Sequence, residues 1–173
     1  MARRSHVLAL WLFAIAGAAY ALDRATKAWA EATLAERAPI DLIPGVLSLT
    51  YTTNSGGAFG LGRSAPWIFA GATILVSLAI IVASTRLPRM GVAVALGLIL
   101  GGALGNLTDR AINGPGLSGH VTDFIDLQFW PIFNLADSAI VIGAGVLAIV
   151  TAKRDPPASS PPEGRVGAQG TRR

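Results

Sequence analysis

Four long apolar stretches constrain what this chain can fold into. They cover about residues 7–22, 67–83, 90–107 and 132–152. A helix that crosses a bilayer needs about 20 mostly apolar residues, with a range of about 17–25. The last three stretches reach or approach that length, and the first does so if it continues past Asp23 to Trp29. Only 14% of the residues are charged, against about 25% in a soluble domain. The sequence therefore predicts an all-α membrane protein with four transmembrane helices.

The first stretch has a second interpretation, as a cleaved signal peptide. Arg3 and Arg4 precede the apolar run, and Ala19-Tyr20-Ala21 fits a small-residue cleavage pattern. Three further spans and the Asp23–Lys27 pair favour a retained helix instead.

Basic residues predict the orientation of the helices, because cytoplasmic loops carry an excess of Lys and Arg. The basic residues that flank the spans are Arg3 and Arg4, then Arg86 and Arg89, then Lys153 and Arg154. An even number of spans puts all of them on one side, so both termini are expected in the cytoplasm and the loops at about 30–64 and 109–131 outside. Residues 1–155 then form the membrane domain. The tail at 156–173 is rich in Pro, Ser, Gly and Arg and is expected to be a disordered cytoplasmic segment.

The first outer loop carries a local structural pattern. Apolar and polar residues alternate from Leu47 to Thr52, which is typical of a strand. A turn signal, Asn54-Ser55-Gly56-Gly57, follows, and residues 29–42 are mixed and partly amphipathic. We expect a small extracellular β element and an amphipathic segment here.

The chain has no cysteine and only two histidines, His6 and His120. The lack of cysteine excludes disulfides, thiolate metal sites and a cysteine nucleophile. Neither histidine has a partner at metal-ligand spacing, so no metal or cofactor is predicted. The net charge of +4 reflects membrane topology, and no nucleic-acid partner is expected.

Two polar clusters lie near the ends of the apolar stretches, where ionisable residues are costly and therefore candidates for function. Asp23 and Lys27 are four apart, share a helix face and can form a structural pair or take part in catalysis. Asn106, Asp109 and Arg110 close the third stretch and can form a buried network or a reaction site. Before them, glycines recur every four residues, which predicts close helix packing; they are Gly97, Gly101 and Gly105.

A third cluster contains Asp123 and Asp137. On one continuous helix these acids would lie about 21 Å apart, but Pro131 and the turn before it can fold Asp123 back beside Asp137. If Pro131 begins the fourth helix, Asp137 lies about 9 Å inside it. Asn134 shares the face of Asp137 and can orient a carboxylate.

Two carboxyl groups in contact do not readily ionise together, so one keeps a proton. Such a pair can take a proton from water, direct that water at an amide carbonyl and later protonate the leaving nitrogen. The alternative is that Asp123 only caps a loop while Asp137 only stabilises the bundle. Spacing alone also does not show whether Asp123 or Asp126 is the partner of Asp137.

These residues resemble the lipoprotein signal peptidases, also called signal peptidase II. The resemblance extends to about residue 152 and rests on ordered motifs. The motifs are Asp23-x-x-x-Lys27, Asn54-Ser55-Gly56-Gly57-Ala58-Phe59, GGALGNLTDR at 101–110, Val121-Thr122-Asp123-Phe124, and Phe133-Asn134-Leu135-Ala136-Asp137. Thr108 stands where the family more usually has an aliphatic residue, and Thr122 stands where it more usually has valine. Neither difference changes the acidic residues of the motifs.

The resemblance implies an intramembrane aspartic endopeptidase with a dyad of Asp123 and Asp137. The residues that it implies for substrate binding or support are Asp23, Lys27, Asn54, Gly56, Asn106, Asp109, Arg110, Asn134 and Ala136. The implied substrate is a prolipoprotein whose lipobox cysteine carries diacylglycerol, cut just before that cysteine. Membrane lipids and globomycin-type inhibitors are the other implied partners. The implied location is the bacterial cytoplasmic membrane, with the active site near the outer face.

Two other functions remain open from the residues alone. Ser55, in a glycine-rich turn, can act as a nucleophile with Lys27 as its base. A small proton-coupled transporter can use buried acids as a relay, although such proteins often show two related halves, which this sequence lacks.

Overall fold

The computed structural model describes residues 2–56 and 66–152. Its long helices are α1 (Ala2–Leu34), α2 (Pro66–Ala83), α3 (Met90–Ile112) and α4 (Leu135–Ala152). All four are long and apolar enough to cross a membrane. The prediction of an all-α membrane protein with four transmembrane helices is confirmed. Three parts of the sequence analysis lie outside the described residues: the Gly57-Ala58-Phe59 part of the second motif, the basic pair Lys153 and Arg154, and the tail at 156–173.

Helix α1 continues well beyond its apolar stretch. Asp23 and Lys27 are inside it and are almost fully buried, at 0% and 2% exposure. The amphipathic stretch at 29–42 is not a separate element, because its first part is the end of α1 and its last part is a strand. Leu8, Leu12 and Ala16 belong to the buried core, which favours α1 as a retained helix.

Helix α3 is the central helix, and glycines allow its neighbours to approach. A Cβ atom on Gly97 would lie 2.7 Å from the carbonyl oxygen of Leu12, and one on Gly101 would lie 2.5 Å from that of Ala16. On the side facing α4, a Cβ atom on Gly102 would lie 2.4 Å from the carbonyl oxygen of Ala136. The glycine stripe is therefore a packing surface, as its spacing predicts.

A three-stranded antiparallel sheet caps one end of the bundle. Its strands are β1 (Ile40–Ile43), β2 (Leu47–Asn54) and β3 (Val121–Asp126), in the order β1-β2-β3. The first two come from the first outer loop, where a β element was expected, but β3 comes from the second. The sheet packs on the end of α1, where Phe124 contacts the buried Ala30 and Leu34.

Pro131 does not begin the fourth helix, so the condition on which Asp137 would lie about 9 Å inside it is not met. Helix α4 starts at Leu135, so Asp137 lies in its first turn rather than about 9 Å inside it. Phe133 cannot be helical because its backbone pairs with β3: its N–H donates to the carbonyl of Ile125 and its carbonyl accepts from Phe124 and Ile125. The chain is released from the sheet only at Asn134.

Candidate active site

Asp123 lies near the middle of β3 with only 2% of its surface exposed. Its neighbour across the sheet is Thr52 of β2. Its carboxyl group accepts a hydrogen bond of 2.6 Å from Asn134 Nδ2 and another from the side chain of Asn54. The strand and these amides fix the carboxyl group at the boundary between the sheet and the bundle.

Asp137 is the third residue of α4, and its position follows from how that helix begins. Asn134 Oδ1 accepts a hydrogen bond of 2.9 Å from the Asp137 backbone N–H, and Asp137 Oδ2 accepts one of 3.4 Å from the Asn134 N–H. This reciprocal arrangement is a capping box. Asn106 Nδ2 of α3 donates to Asp137 Oδ1 at 2.8 Å. The carboxylate is therefore held from two helices.

Asn134 connects the two acids. Its side-chain amide donates to Asp123, while its side-chain carbonyl caps the helix turn that carries Asp137. Asn134 is completely buried. Both acids line one cavity, with Asn54, Gly56, Asn106 and Arg110 among the other residues of its wall. The structure thus brings together the two acids that the sequence analysis paired.

Lys27 lies behind the acids, where its ammonium group contacts one amide and two carboxylates. Its Nζ atom is 2.9 Å from Asn106 Oδ1, 2.9 Å from Asp23 Oδ2 and 2.8 Å from Asp109 Oδ2. The contact with Asp23 is an ion pair without hydrogen-bond alignment. Neither Lys27 nor Ser55 lines the cavity that holds Asp123 and Asp137. The Ser55–Lys27 alternative is therefore disfavoured.

Asp23 reaches across to α4. Its Oδ1 atom accepts a hydrogen bond of 2.9 Å from the backbone N–H of Ala136 in the first turn of that helix. A negative charge at a helix N-terminus is favourable because the unpaired N–H groups point at it. Asp23 and Lys27 thus form a buried pair that joins α1 to the helix carrying Asp137.

Asp109 joins three elements. It contacts Lys27 through Oδ2, and the same oxygen accepts a hydrogen bond of 3.3 Å from the Thr122 backbone N–H, next to Asp123. Its Oδ1 atom pairs with Arg24 of α1. Arg24 was not among the sequence-predicted site residues. A signal existed, because Arg24 and Lys27 are three apart and share a helix face.

Arg110 lies at the edge of the cavity and is 6% exposed. It donates to the carbonyl oxygens of Gly56, at 3.1 Å, and Asn106, at 3.4 Å. Within residues 2–56 and 66–152, its Nε atom has no hydrogen-bond partner. Gly56 is itself held by its N–H, which donates to Asn54 Oδ1 at 2.9 Å. Arg110 therefore ties the end of β2 to α3 and places a cation at the cavity.

Asp126 is separated from the other acids. In a strand, side chains alternate between faces, so residues three apart, such as Asp123 and Asp126, point to opposite sides. The Asp126 carboxylate accepts hydrogen bonds from the backbone and side chain of Gln128, at 2.7 and 3.3 Å. It does not line the cavity that holds Asp123 and Asp137.

The charges at the site balance if the cluster binds one proton. The four carboxyl groups of the cluster face three cations. The carboxyl groups are those of Asp23, Asp109, Asp123 and Asp137, and the cations are Arg24, Lys27 and Arg110. Burial, reinforced by the charge of Asp137, raises the pKa of Asp123 to about 7. The hydrogen bonds from Asn134 and Asn54 and the positive charge of Lys27 oppose this rise. A proton on Asp123 makes the cluster neutral.

No group of three or more His, Cys, Asp and Glu side chains in the described part of the chain is arranged to hold a metal ion. The chemistry that these residues can perform is proton transfer between two carboxyl groups and a water molecule.

The chain is similar to known proteins over most of its length. The model of the family described as signal peptidase (SPase) II matches residues 15–153. A lipoprotein signal peptidase of Rhodococcus jostii is 40% identical over 152 residues, which cover 85% of this chain and 75% of that protein. One of Syntrophomonas wolfei is 47% identical over 130 residues, covering 75% of this chain and 83% of the relative.

Solved structures show the same fold. One, described as a bacterial membrane enzyme determined by the in meso method at 2.3 Å resolution, superposes with a TM-score of 0.72 at 31% identity, over 82% of this chain and 87% of the other. A second, described in the same words at 1.9 Å resolution, gives a TM-score of 0.70 at 32% identity, over 83% of this chain and 94% of the other.

Proposed function

The chain belongs to the signal peptidase II family, and from this premise we propose that it cuts prolipoproteins with an aspartic dyad of Asp123 and Asp137. Family membership makes it a multi-pass membrane protease that removes the signal peptides of lipoproteins. The observation that carries the dyad is the position of Asn134, which bonds to Asp123 and caps the turn of Asp137 beside one cavity.

The two acids have different protonation states in this proposal. Asp123 is buried and has a raised pKa of about 7, so it holds the shared proton. Asp137 is in the first turn of α4 and accepts hydrogen bonds from Asn106 and the Asn134 backbone, which stabilise a carboxylate. Asp137 is therefore the base and Asp123 the acid.

Hydrolysis then needs no covalent intermediate. Asp137 takes a proton from a water molecule, whose oxygen bonds to the amide carbon, while Asp123 gives its proton to the carbonyl oxygen. Asp137 then passes its new proton to the leaving nitrogen as the carbon–nitrogen bond breaks. A hydroxyl of the intermediate returns a proton to Asp123, which restores the starting state. Arg110 supplies a positive charge at the wall of the cavity, where it balances the one carboxylate that the dyad carries throughout the cycle.

The remaining residues of the cluster support this chemistry. Asn54 and Asn106 orient the two carboxyl groups, and Gly56 positions Arg110. Asp23, Lys27 and Asp109 hold the helices that carry them, and Ala136 anchors the start of α4 to Asp23. These groups act by pre-organisation, which avoids reorganisation during the reaction.

The cavity suits a substrate that is held in the bilayer. Its wall includes Ile140 and Val141 of α4, and Val141 is 71% exposed on a membrane-spanning helix. The diacylglyceryl chains of a prolipoprotein can remain in lipid at this side while the peptide enters the polar side. Cleavage just before the modified cysteine follows if the acids meet the bond at the lipid boundary. A globomycin-type cyclic peptide would block the same cavity.

We also propose that the site faces outward. Arg110 lies about 30 Å along α3 from its start at Met90, the thickness of the hydrocarbon core. Ser5 donates to the carbonyl of Thr85, and Arg89 contacts that of Val150, so the far ends of α1, α2 and α4 meet at the opposite face. Arg86 and Arg89 lie at that face, which the positive-inside rule assigns to the cytoplasm. The sheet then lies on the outer surface, where it can hold the substrate from above.

The test is cleavage of a diacylated prolipoprotein by the purified protein. We expect Asp123→Asn and Asp137→Asn each to lower kcat by at least about 1,000-fold while the thermal transition is retained, because each removes one proton-transfer partner. The control is Asp126→Asn, which removes an acid from the same strand outside the cavity and is expected to stay within about threefold of the parent. Loss of activity in the control together with full activity of Asp123→Asn would refute this site.

A further inference from the structure

Among the described contacts, Arg24 bonds to neither Asp123 nor Asp137, and it does not line their cavity. It lies on α1, pairs through NH1 with Asp109 Oδ1, and has a side chain that is 27% exposed. We propose that Arg24 is a positioning residue for the reaction, which acts through Asp109 on the placement of both Asp123 and Asp137. This inference rests on the proposed function, since it assigns a role in the same hydrolysis.

Asp109 is suited to transmit the effect in two directions. Its Oδ2 atom accepts from the Thr122 N–H at 3.3 Å, and Thr122 is bonded to Asp123. The same oxygen lies 2.8 Å from Lys27 Nζ, which donates to Asn106 Oδ1, and Asn106 donates in turn to Asp137. Two short chains of contacts therefore run from Asp109 to the two carboxyl groups.

Arg24 determines how Lys27 is shared. Lys27 faces two carboxylates, Asp23 and Asp109, and it also supports Asn106. With Arg24 present, Asp109 has a second cation on its other oxygen. Without it, a single buried ammonium group would balance both carboxylates. Lys27 would then be drawn toward Asp109 and away from Asn106, because an uncompensated buried charge is costly.

The geometry also predicts which replacement is tolerated. The contact uses one nitrogen of Arg24 and one oxygen of Asp109, and not the two-pronged pairing in which lysine cannot replace arginine. A lysine at this position keeps the charge and can reach a single oxygen. A glutamine keeps most of the length but removes the charge.

The experiment compares Arg24→Gln, Arg24→Lys and Arg37→Gln in the prolipoprotein cleavage assay, with kcat and KM measured separately. Arg37 is the matched control, because it is an exposed arginine just beyond the end of α1 and has no contact with Asp109 among the described ion pairs. We expect Arg24→Gln to lower kcat about tenfold with KM within about twofold, the pattern of lost positioning. Arg24→Lys should stay within about threefold of the parent kcat. The control, Arg37→Gln, should have the same kcat as the parent.

The proposal is overturned if Arg24→Gln keeps the parent kcat, if only KM changes, or if Arg24→Lys is as impaired as Arg24→Gln. Thermal unfolding of each variant shows whether the protein folds. If Arg24→Gln does not fold, the kcat of Arg24→Lys still tests the proposal. Asp123→Asn, run in parallel, separates the two claims. Full turnover by that variant refutes the dyad, whereas its loss beside a normal Arg24→Gln refutes only the role of Arg24.

Discussion

At the scale of single residues, the site depends on amides as much as on acids. Two amides connect the groups of the candidate site. Asn134 bonds to Asp123 and caps the helix turn of Asp137, and Asn106 joins Lys27 to Asp137. An amide has both donors and acceptors, so it can connect a carboxylate to a cation or to a backbone N–H. Such amides hold in place the two acids that line one cavity.

The protonation of Asp123 leads to a pH dependence. Its pKa is raised to about 7, so it is protonated below that pH and ionised above it. Because the proposed reaction needs the protonated form, we expect kcat/KM to fall about tenfold per pH unit once the pH is well above 7. The measurement is a pH–rate profile on one diacylated substrate, and a flat profile between pH 7 and about 9 would contradict the assignment of Asp123 as the acid.

At the scale of elements, the start of α4 and the edge of β3 are built as one unit. The edge of β3 that faces away from β2 is bonded at three residues. Thr122 bonds to Asp109 and Asn134, and Phe124 and Ile125 bond to Phe133. The chain leaves this pairing and enters the capping box of α4 within one residue. Backbone pairing therefore holds the start of α4, which carries Asp137, against the strand that carries Asp123.

Close packing of α1 on α3 depends on Gly105. A Cβ atom at this position would lie 2.3 Å from Asp23 Oδ2. We expect Gly105→Ala to displace Asp23 from Ala136, to destabilise the protein by about 1–3 kcal/mol, as for overpacked cores, and to reduce activity. Thermal unfolding and the cleavage assay measure both effects.

The matched control for this change is Gly145→Ala in α4. A Cβ atom there has no neighbour within 4 Å, so the change adds a better helix former without a clash. We expect it to leave activity unchanged. Equal behaviour of the two alanine variants would show that Gly105 is not a close-packing position.

At the scale of the whole molecule, the polar cluster and the basic loop lie at opposite ends of the bundle. The cluster joins the sheet end of α1, the end of α3 and the start of α4. The other end holds Arg86 and Arg89. In the proposed orientation, the sheet end meets the secreted part of the substrate and the other end faces the cytoplasm.

The absence of cysteine from the sequence makes this orientation directly measurable. We expect a membrane-impermeant maleimide to label Glu36→Cys in intact spheroplasts, and Thr85→Cys only after permeabilisation. Both positions are exposed and lie at opposite ends of the bundle. The reverse pattern would invert the proposed topology.

The sequence alone supported the prediction of four spans, and its motifs indicated which polar residues to examine. Apolar length determines a membrane helix because the bilayer has a fixed thickness, and glycine spacing predicted the packing face of α3. The sequence did not reveal that Val121–Asp126 is a strand, because its partner β2 lies far away along the chain. Without knowledge of that strand, spacing allowed either Asp123 or Asp126 to be the partner of Asp137.

What only the tertiary structure decided is where separate motifs meet. The start of α4 at Leu135 depends on the pairing of Phe133 with β3, which no local propensity shows. The contact of Arg24 with Asp109 joins residues 85 positions apart. Short-range periodicity determines which segments form helices, because it needs only neighbours along the chain. The arrangement of the acids, amides and cations depends on long-range contacts, and therefore on the folded molecule.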